Sequence, residues 1–209
     1  MSLIKYTRRL SRGKNGMIFI YSFGGVGTTM FYDFIRRYRP VNTQSNVHHG
    51  LETLLFKNER AVYLFGNPIE AILSFYRRQA THDHFIGQHA LHLRVRSPIS
   101  KSLDEYIIKG EDQFELERHF DQYINAKKYY PILFVKYPDL WENLSPVMQF
   151  LNLKEHQNSF PARRNRESKI SHLSKDNLEK LLTIHQPLID KIEKLSPVFV
   201  LETTQIKNV

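Results

Sequence analysis

The chain has 209 residues, a formal net charge of +9, ten histidines and no cysteine. That length suits one domain with a sizeable core, expected over 1–209, and too little chain remains for two comfortable ones. Missing cysteine excludes disulfides, thiolate metal sites and a cysteine nucleophile and fits a cytoplasmic protein, while the basic balance favours anionic partners.

Residues 1–15 form a basic segment, with Lys5, Arg8, Arg9, Arg12 and Lys14. The apolar stretch after it, Met17–Phe23, is short, runs into glycines and lacks a small-residue cleavage pattern, so it does not read as a signal peptide. No apolar run approaches the ~20 residues that span a bilayer. Met17–Ser22 reads as a buried strand, and Thr28–Tyr38 as a helix ended by Pro40. Gln44–His48 suggests a short second strand and Ala61–Phe65 a clear one. Asn67 then caps a helix with Pro68 at its first position, and Ile72, Phe75 and Tyr76 share one of its faces. His82–Ser100 is histidine-rich and without period, the pattern of a lid or substrate loop.

Leu103–Ile108 and Phe114–Tyr129 read as helices, Ile132–Lys136 as a third strand and Leu140–Leu151 as a helix. A basic irregular connection, Phe160–Ile170, leads to a long amphipathic helix over Leu173–Leu195 and a last short strand at Val198–Leu201. Phe19, Tyr21, Tyr63, Phe65 and Phe134 occupy strand positions and read as core. Strands alternating with helices predict an α/β fold of P-loop type: a central parallel sheet flanked by helices in a three-layer sandwich. Ligands of such sheets bind beyond the carboxyl ends of the strands, so the loops after Ser22, His48, Phe65 and Lys136 are expected to share one crevice.

The densest motif is Gly24-Gly25-Val26-Gly27-Thr28-Thr29. Glycines let a backbone approach phosphate oxygens, the first amides of a helix point at the anion, and threonine hydroxyls add donors. The lysine of a nucleoside-triphosphate loop is missing, which disfavours ATP or GTP hydrolysis. A second element follows the strand that ends at Phe65: Gly66-Asn67-Pro68-Ile69-Glu70, then Ser74-Phe75-Tyr76-Arg77-Arg78. Four histidines, His82, His84, His89 and His92, lie in the irregular segment. No carboxylate pattern beyond Asp83 supports a metal there, so no metal site is expected and the histidines are assigned to the acceptor side.

Read together, the two elements resemble sulfotransferases that use 3′-phosphoadenosine 5′-phosphosulfate (PAPS). Asn67, Pro68, Glu70, Ser74 and Tyr76 match the family's 3′-phosphate element, and Gly27, Thr28 and Thr29 match its 5′-phosphosulfate loop. Phe134-Val-Lys-Tyr-Pro-Asp-Leu140, followed by Met148-Gln-Phe-Leu-Asn-Leu153, resembles a later stretch of the same family. Val47-His48-His49-Gly50 lies where its cytosolic members carry a catalytic histidine. The resemblance spans about residues 17–153.

The resemblance implies sulfuryl transfer from PAPS to a hydroxyl or amine on a small-molecule or glycan acceptor, with PAP released. It implies that Gly24, Gly25, Val26, Gly27, Thr28 and Thr29 hold the 5′-phosphosulfate. Asn67, Ser74, Arg78, Arg163 and Arg164 would serve the 3′-phosphate side. His49 or His48 would be the base, an imidazole being suited to proton transfer near neutral pH. Nucleic acid is not an expected partner. Three residues depart from the pattern: Gly25 replaces a lysine, Met30 a tryptophan or other bulky residue, and Gly66 an arginine. Each lost charged hydrogen bond costs about 1.5–3 kcal/mol. The alternative is therefore a binding protein on the same fold, holding a nucleotide or an anionic glycan without transfer. Arg77, Arg78 and the run Arg163-Arg164-Asn165-Arg166 are the candidate replacements for the lost charge.

Overall fold

The computed structural model describes residues 17–42, 60–125, 131–163 and 169–202. The elements are β1 (Ile18–Ser22), α1 (Thr28–Ile35), β2 (Val41–Asn42), β3 (Arg60–Phe65), α2 (Pro68–Gln79) and α3 (Phe85–Leu93). They continue with α4 (Leu103–Lys109), α5 (Leu116–Ile124), β4 (Ile132–Lys136), α6 (Leu144–Phe150), α7 (Lys175–Glu193) and β5 (Val198–Leu201). The strands form one sheet in the order β2-β1-β3-β4-β5. β1 through β4 are parallel and β5 runs antiparallel to β4. The chain makes two helical passes, α6 and α7, between β4 and β5, and so enters β5 from the opposite end. The expected α/β sheet flanked by helices is present, with that one antiparallel edge.

Aromatic residues tie the sheet together. Tyr21, Tyr63, Phe134 and Phe199 stand in register on four neighbouring strands. Tyr63 and Phe134 have ring centroids 5.2 Å apart, and Phe134 and Phe199 stack at 5.0 Å. Helix α5 covers this row through Tyr123, 4.9 Å from Tyr21, and through Phe120 and His119 against Tyr63. Burial of these rings, with cross-strand contact, explains the strand aromatics without a stacking role. A second aromatic group joins Phe31 and Phe34 of α1 to Phe160 and Trp141.

The strand order reverses beside β1. The chain leaves β1 toward β2 on one side, and leaves β3 toward β4 on the other. Right-handed crossovers then put α1 and the α2–α5 group on opposite faces, opening a crevice between the ends of β1 and β3. The glycine loop and the Gly66-Asn67-Pro68 turn both emerge at that switch point.

Several boundaries differ from the sequence reading. The helix after the glycine loop stops at Ile35, because Arg37, Tyr38 and Arg39 turn back onto the carbonyls of Phe34 and Ile35. The second strand is Val41–Asn42, while the expected Gln44–His48 strand lies outside the described residues. The stretch from Leu140 begins irregularly, after a 3₁₀ turn at Tyr137–Asp139, and becomes helical only at Leu144. The His82–Ser100 segment is not irregular throughout, since it holds α3. Gln79 builds the entry to that helix, its amide donating to the Asp83 carbonyl at 2.6 Å and its oxygen accepting from the Ile86 amide at 2.9 Å. Ile86 and Leu93, seven residues apart, are the helix's buried anchors. No helix among the described residues is long and apolar enough to cross a membrane.

Two buried titratable groups give the protein a particular acid response. His185 of α7 meets the Tyr106 hydroxyl at 2.9 Å, and burial lowers its pKa to about 4. Asp112 accepts from the Glu117 amide at 3.1 Å, yet burial raises its pKa to about 6 against that pull. Between pH 6.5 and 4 the unfolded state binds the extra proton at His185, so His185 costs stability on acidification. Over nearly the same window the folded state binds the extra proton at Asp112, so Asp112 adds stability on acidification. The two slopes oppose each other. Asp112→Asn keeps an acceptor for the amide and removes one slope. Its stability to urea is expected to fall by roughly 3 kcal/mol more than that of the wild type between pH 7 and pH 4. Parallel stability–pH curves for the two proteins would sink this assignment.

Candidate functional site

The glycine loop is shaped by backbone that ordinary residues resist. Gly25 and Gly27 both have φ of 72°, and Gly27 is the cap from which α1 begins. A side chain in that left-handed region costs roughly 1–2 kcal/mol. Inside the loop the Gly24 amide donates to Ser22 Oγ at 2.9 Å, and Ser22 Oγ lies 2.8 Å from Thr28 Oγ1. The first helical bond runs from the Phe31 amide to the Gly27 carbonyl. The amides of Gly25, Val26, Gly27, Thr28, Thr29 and Met30 meet no acceptor among the described residues. No acidic side chain occupies the first turn of α1 to answer them. Unanswered amides at a helix start carry partial positive charge and suit an anion.

Four of these residues, Gly25, Gly27, Thr28 and Thr29, border a cavity of about 160 Å³. Its floor is Ile20, Tyr21 and Ser22 of β1 with the loop residues Gly24, Gly25, Gly27, Thr28 and Thr29. Its far wall is Arg78 of α2, His89, His92 and Leu93 of α3, and Tyr123 of α5. Among the described residues that line it there is no carboxylate, and the ionisable groups are one arginine, two histidines and two tyrosines. The Arg78 guanidinium lies 5.4 Å from the Phe85 ring, a cation–π contact that keeps it on this side of α2. His89 donates from Nε2 to the Phe23 carbonyl at 3.0 Å.

The structure also shows what fills the two positions where the resembled pattern carries cations. A Cβ on Gly25 would lie 2.6 Å from the Cα of Ala71 in α2. A Cβ on Gly66 would lie 3.1 Å from Val26 Cγ1, and Val26 is buried. The loop and the start of α2 are thus in direct contact, with backbone against backbone at Gly25. At Gly25 close packing takes the place of a lysine, while at Gly66 a larger residue would have to displace the Val26 side chain slightly. On the loop's other flank, a Cβ on Gly27 would overlap the Tyr137 ring.

Of the residues expected at the site, Gly24, Gly25, Gly27, Thr28, Thr29 and Arg78 come together around this cavity. Val26 turns into the core. Asn67 caps α2, its Oδ1 accepting from the Ile69 amide at 2.8 Å and the Glu70 amide at 3.4 Å. Ser74 is half-buried on α2 and does not line the cavity. Arg163 lies elsewhere, 2.9 Å from the Glu142 carboxylate and over the Trp141 ring. His48, His49 and Arg164 lie outside the described residues. His89 and His92, three residues apart on one helical face, stand on the cavity wall, and it is helix α3 that singles them out of the four histidines assigned to the acceptor side. No cluster of three metal-ligating side chains occurs among the described residues.

No protein-family model matches the chain, and no curated protein matches it in sequence. Among solved structures, it is similar to mouse sulfotransferase SULT7A1 complexed with PAP. That likeness has a TM-score of 0.48 and 12% identity, over 88% of this chain and 90% of the other.

Proposed function

We propose that the chain holds the phosphosulfate end of PAPS at the glycine loop and transfers its sulfuryl group to a small hydroxyl or amine acceptor. The observation that carries this reading is the run of amides from Gly25 to Met30 that meet no acceptor among the described residues, four of them on residues that line a cavity with Arg78 and no described carboxylate. Amides of a preformed loop bind tetrahedral oxyanions without reorganising, and they favour charge that grows on the leaving phosphate. Arg78 supplies the cation that Gly25 and Gly66 do not, with His92 beside it. The acceptor oxygen or nitrogen attacks sulfur, the bond from sulfur to the phosphate oxygen breaks, PAP leaves, and the acceptor proton passes to a histidine. His49 or His48 takes that proton in this reading, with Ser74, Asn67 and the Arg163-Arg164 segment on the 3′-phosphate side. The donor is PAPS and the product PAP, and the reaction involves no metal.

Calorimetric titration of PAP tests binding, and PAPS consumption against an acceptor panel tests transfer. Arg78→Ala is expected to weaken PAP binding roughly 10- to 100-fold, the cost of one charged hydrogen bond. His49→Ala and His48→Ala are expected to show which histidine carries turnover, and full activity in both would remove them from the mechanism.

A second reading has its own support. Contact of Gly25 with the Ala71 backbone closes one cation position by packing, and at Gly66 a Cβ would press on Val26 Cγ1 at 3.1 Å. PAP binding without PAPS consumption would identify a nucleotide- or anion-binding protein on this fold.

A further inference from the structure

We infer that His89 is a positioning residue, setting the direction of the loop amides from the opposite wall of the cavity. The inference rests on reading that cavity as an anion site. The peptide between Phe23 and Gly24 is the first of the loop, and it is held at both ends. Its carbonyl accepts from His89 Nε2 at 3.0 Å, and its N–H donates to Ser22 Oγ at 2.9 Å. Ser22 Oγ continues to Thr28 Oγ1 at 2.8 Å, on the first residue of α1. One line of hydrogen bonds therefore runs from α3, through the loop's opening peptide, to the start of the helix that presents the free amides.

The acceptor is a carbonyl, so Nε2 carries the proton whether the ring is neutral or charged. The ring itself is held firmly. Its centroid is 4.1 Å from that of Phe75 in α2, and it stacks on Phe85 within 11°. It also stands where a Cβ on Gly24 would fall, 2.5 Å from His89 Cε1. A peptide fixed in plane and position at the loop's first residue fixes where the next amides point. Amides aimed in advance bind an anion without the cost of ordering. Removing the Nε2 donor frees that peptide to rotate and disperses the amides, with the fold left in place.

The test uses the full chain and two probes, inorganic pyrophosphate and PAP, titrated calorimetrically against wild type, His89→Phe and His89→Gln. Phenylalanine keeps the ring between Phe75 and Phe85 and removes the donor. Glutamine returns an N–H donor at similar reach. His89→Phe is expected to bind pyrophosphate roughly tenfold more weakly at a melting temperature near that of the wild type, and His89→Gln to recover most of the loss. If His89→Phe does not fold, His89→Asn, whose amide stops short of the carbonyl, takes its place with the same expectation. A donor-less variant that binds pyrophosphate as tightly as wild type, or a glutamine variant no better than it, overturns the inference. Pyrophosphate binding without PAP binding removes the nucleotide reading, and the pyrophosphate series still decides for or against His89. Binding of neither probe by wild type overturns both.

Discussion

Gly25→Lys, which restores the cation of the resembled loop, is expected to lower the melting temperature by roughly 10 °C and to leave PAP binding no tighter. The reason is local. Gly25 has φ of 72°, so any side chain there adopts a left-handed backbone at a cost of roughly 1–2 kcal/mol. Its Cβ would also lie 2.6 Å from the Ala71 Cα and 2.9 Å from the Ala71 Cβ. Ala71 sits in the first turns of α2, a helix fixed by Asn67 and by buried Ile69, Ile72 and Phe75, so it cannot withdraw alone. Overpacking of that kind adds about 1–3 kcal/mol. Thermal melts and PAP titration of the variant check this directly. A lysine variant that is stable and binds PAP more tightly would show that the loop tolerates the family's cation after all.

Gly27→Ala is expected to have a comparable effect on stability, with a different remedy. Gly27 shares the left-handed φ of 72°, but its obstacle is the Tyr137 ring rather than backbone. Tyr137 is half-buried, with its ring centroid 5.3 Å from that of Trp141, and leads the 3₁₀ turn after β4. A side chain can be trimmed where a backbone cannot. Gly27→Ala alone is expected to cost about 3 kcal/mol, and the further change Tyr137→Ala to recover the part owed to collision, leaving roughly 1–2 kcal/mol of backbone strain. A double-mutant cycle by urea denaturation measures the coupling. Strictly additive losses would mean that Tyr137 does not stand against the loop. The pair of variants separates the two ways in which this loop is packed, against the frame at Gly25 and against a removable ring at Gly27.

Much of this molecule is legible in its sequence, for reasons that particular residues make plain. Runs such as Ile-Phe-Ile-Tyr and Ala-Val-Tyr-Leu-Phe suit only buried strands, and β1 and β3 form where those runs fall. Asn67-Pro68 marks a helix start by chemistry alone, since the side chain caps and the proline fits the first position. Helix α3 is less visible. It buries only Ile86 and Leu93, its other positions carry histidine, glycine and glutamine, and its entry depends on Gln79 from the preceding helix. The direction of β5 is not encoded in Val-Phe-Val-Leu, because four apolar residues carry no polarity. It follows from the helical passes before it.

The site divides along the same line. A loop of three glycines before two threonines announces itself, and its cavity is built by it. Which cations face the loop does not announce itself, because that depends on helix packing. Arg78 and Arg163 look alike in sequence, yet Arg78 reaches the cavity and Arg163 pairs with Glu142. The meaning of Gly25 and Gly66 was also hidden. In sequence they are missing charges, whereas in the fold they are the close contacts that let the loop rest on α2.

The most direct measurement is a nuclear magnetic resonance titration of chain labelled with ¹⁵N-glycine. The chain has nine glycines, so each amide can be followed. As PAP is added, the Gly25 and Gly27 signals should shift and saturate together, while Gly87 and Gly110, outside the cavity lining, stay in place. Saturating binding of PAP with the Gly25 and Gly27 signals unmoved, or no change in any glycine signal, would contradict a loop that holds the nucleotide by its amides.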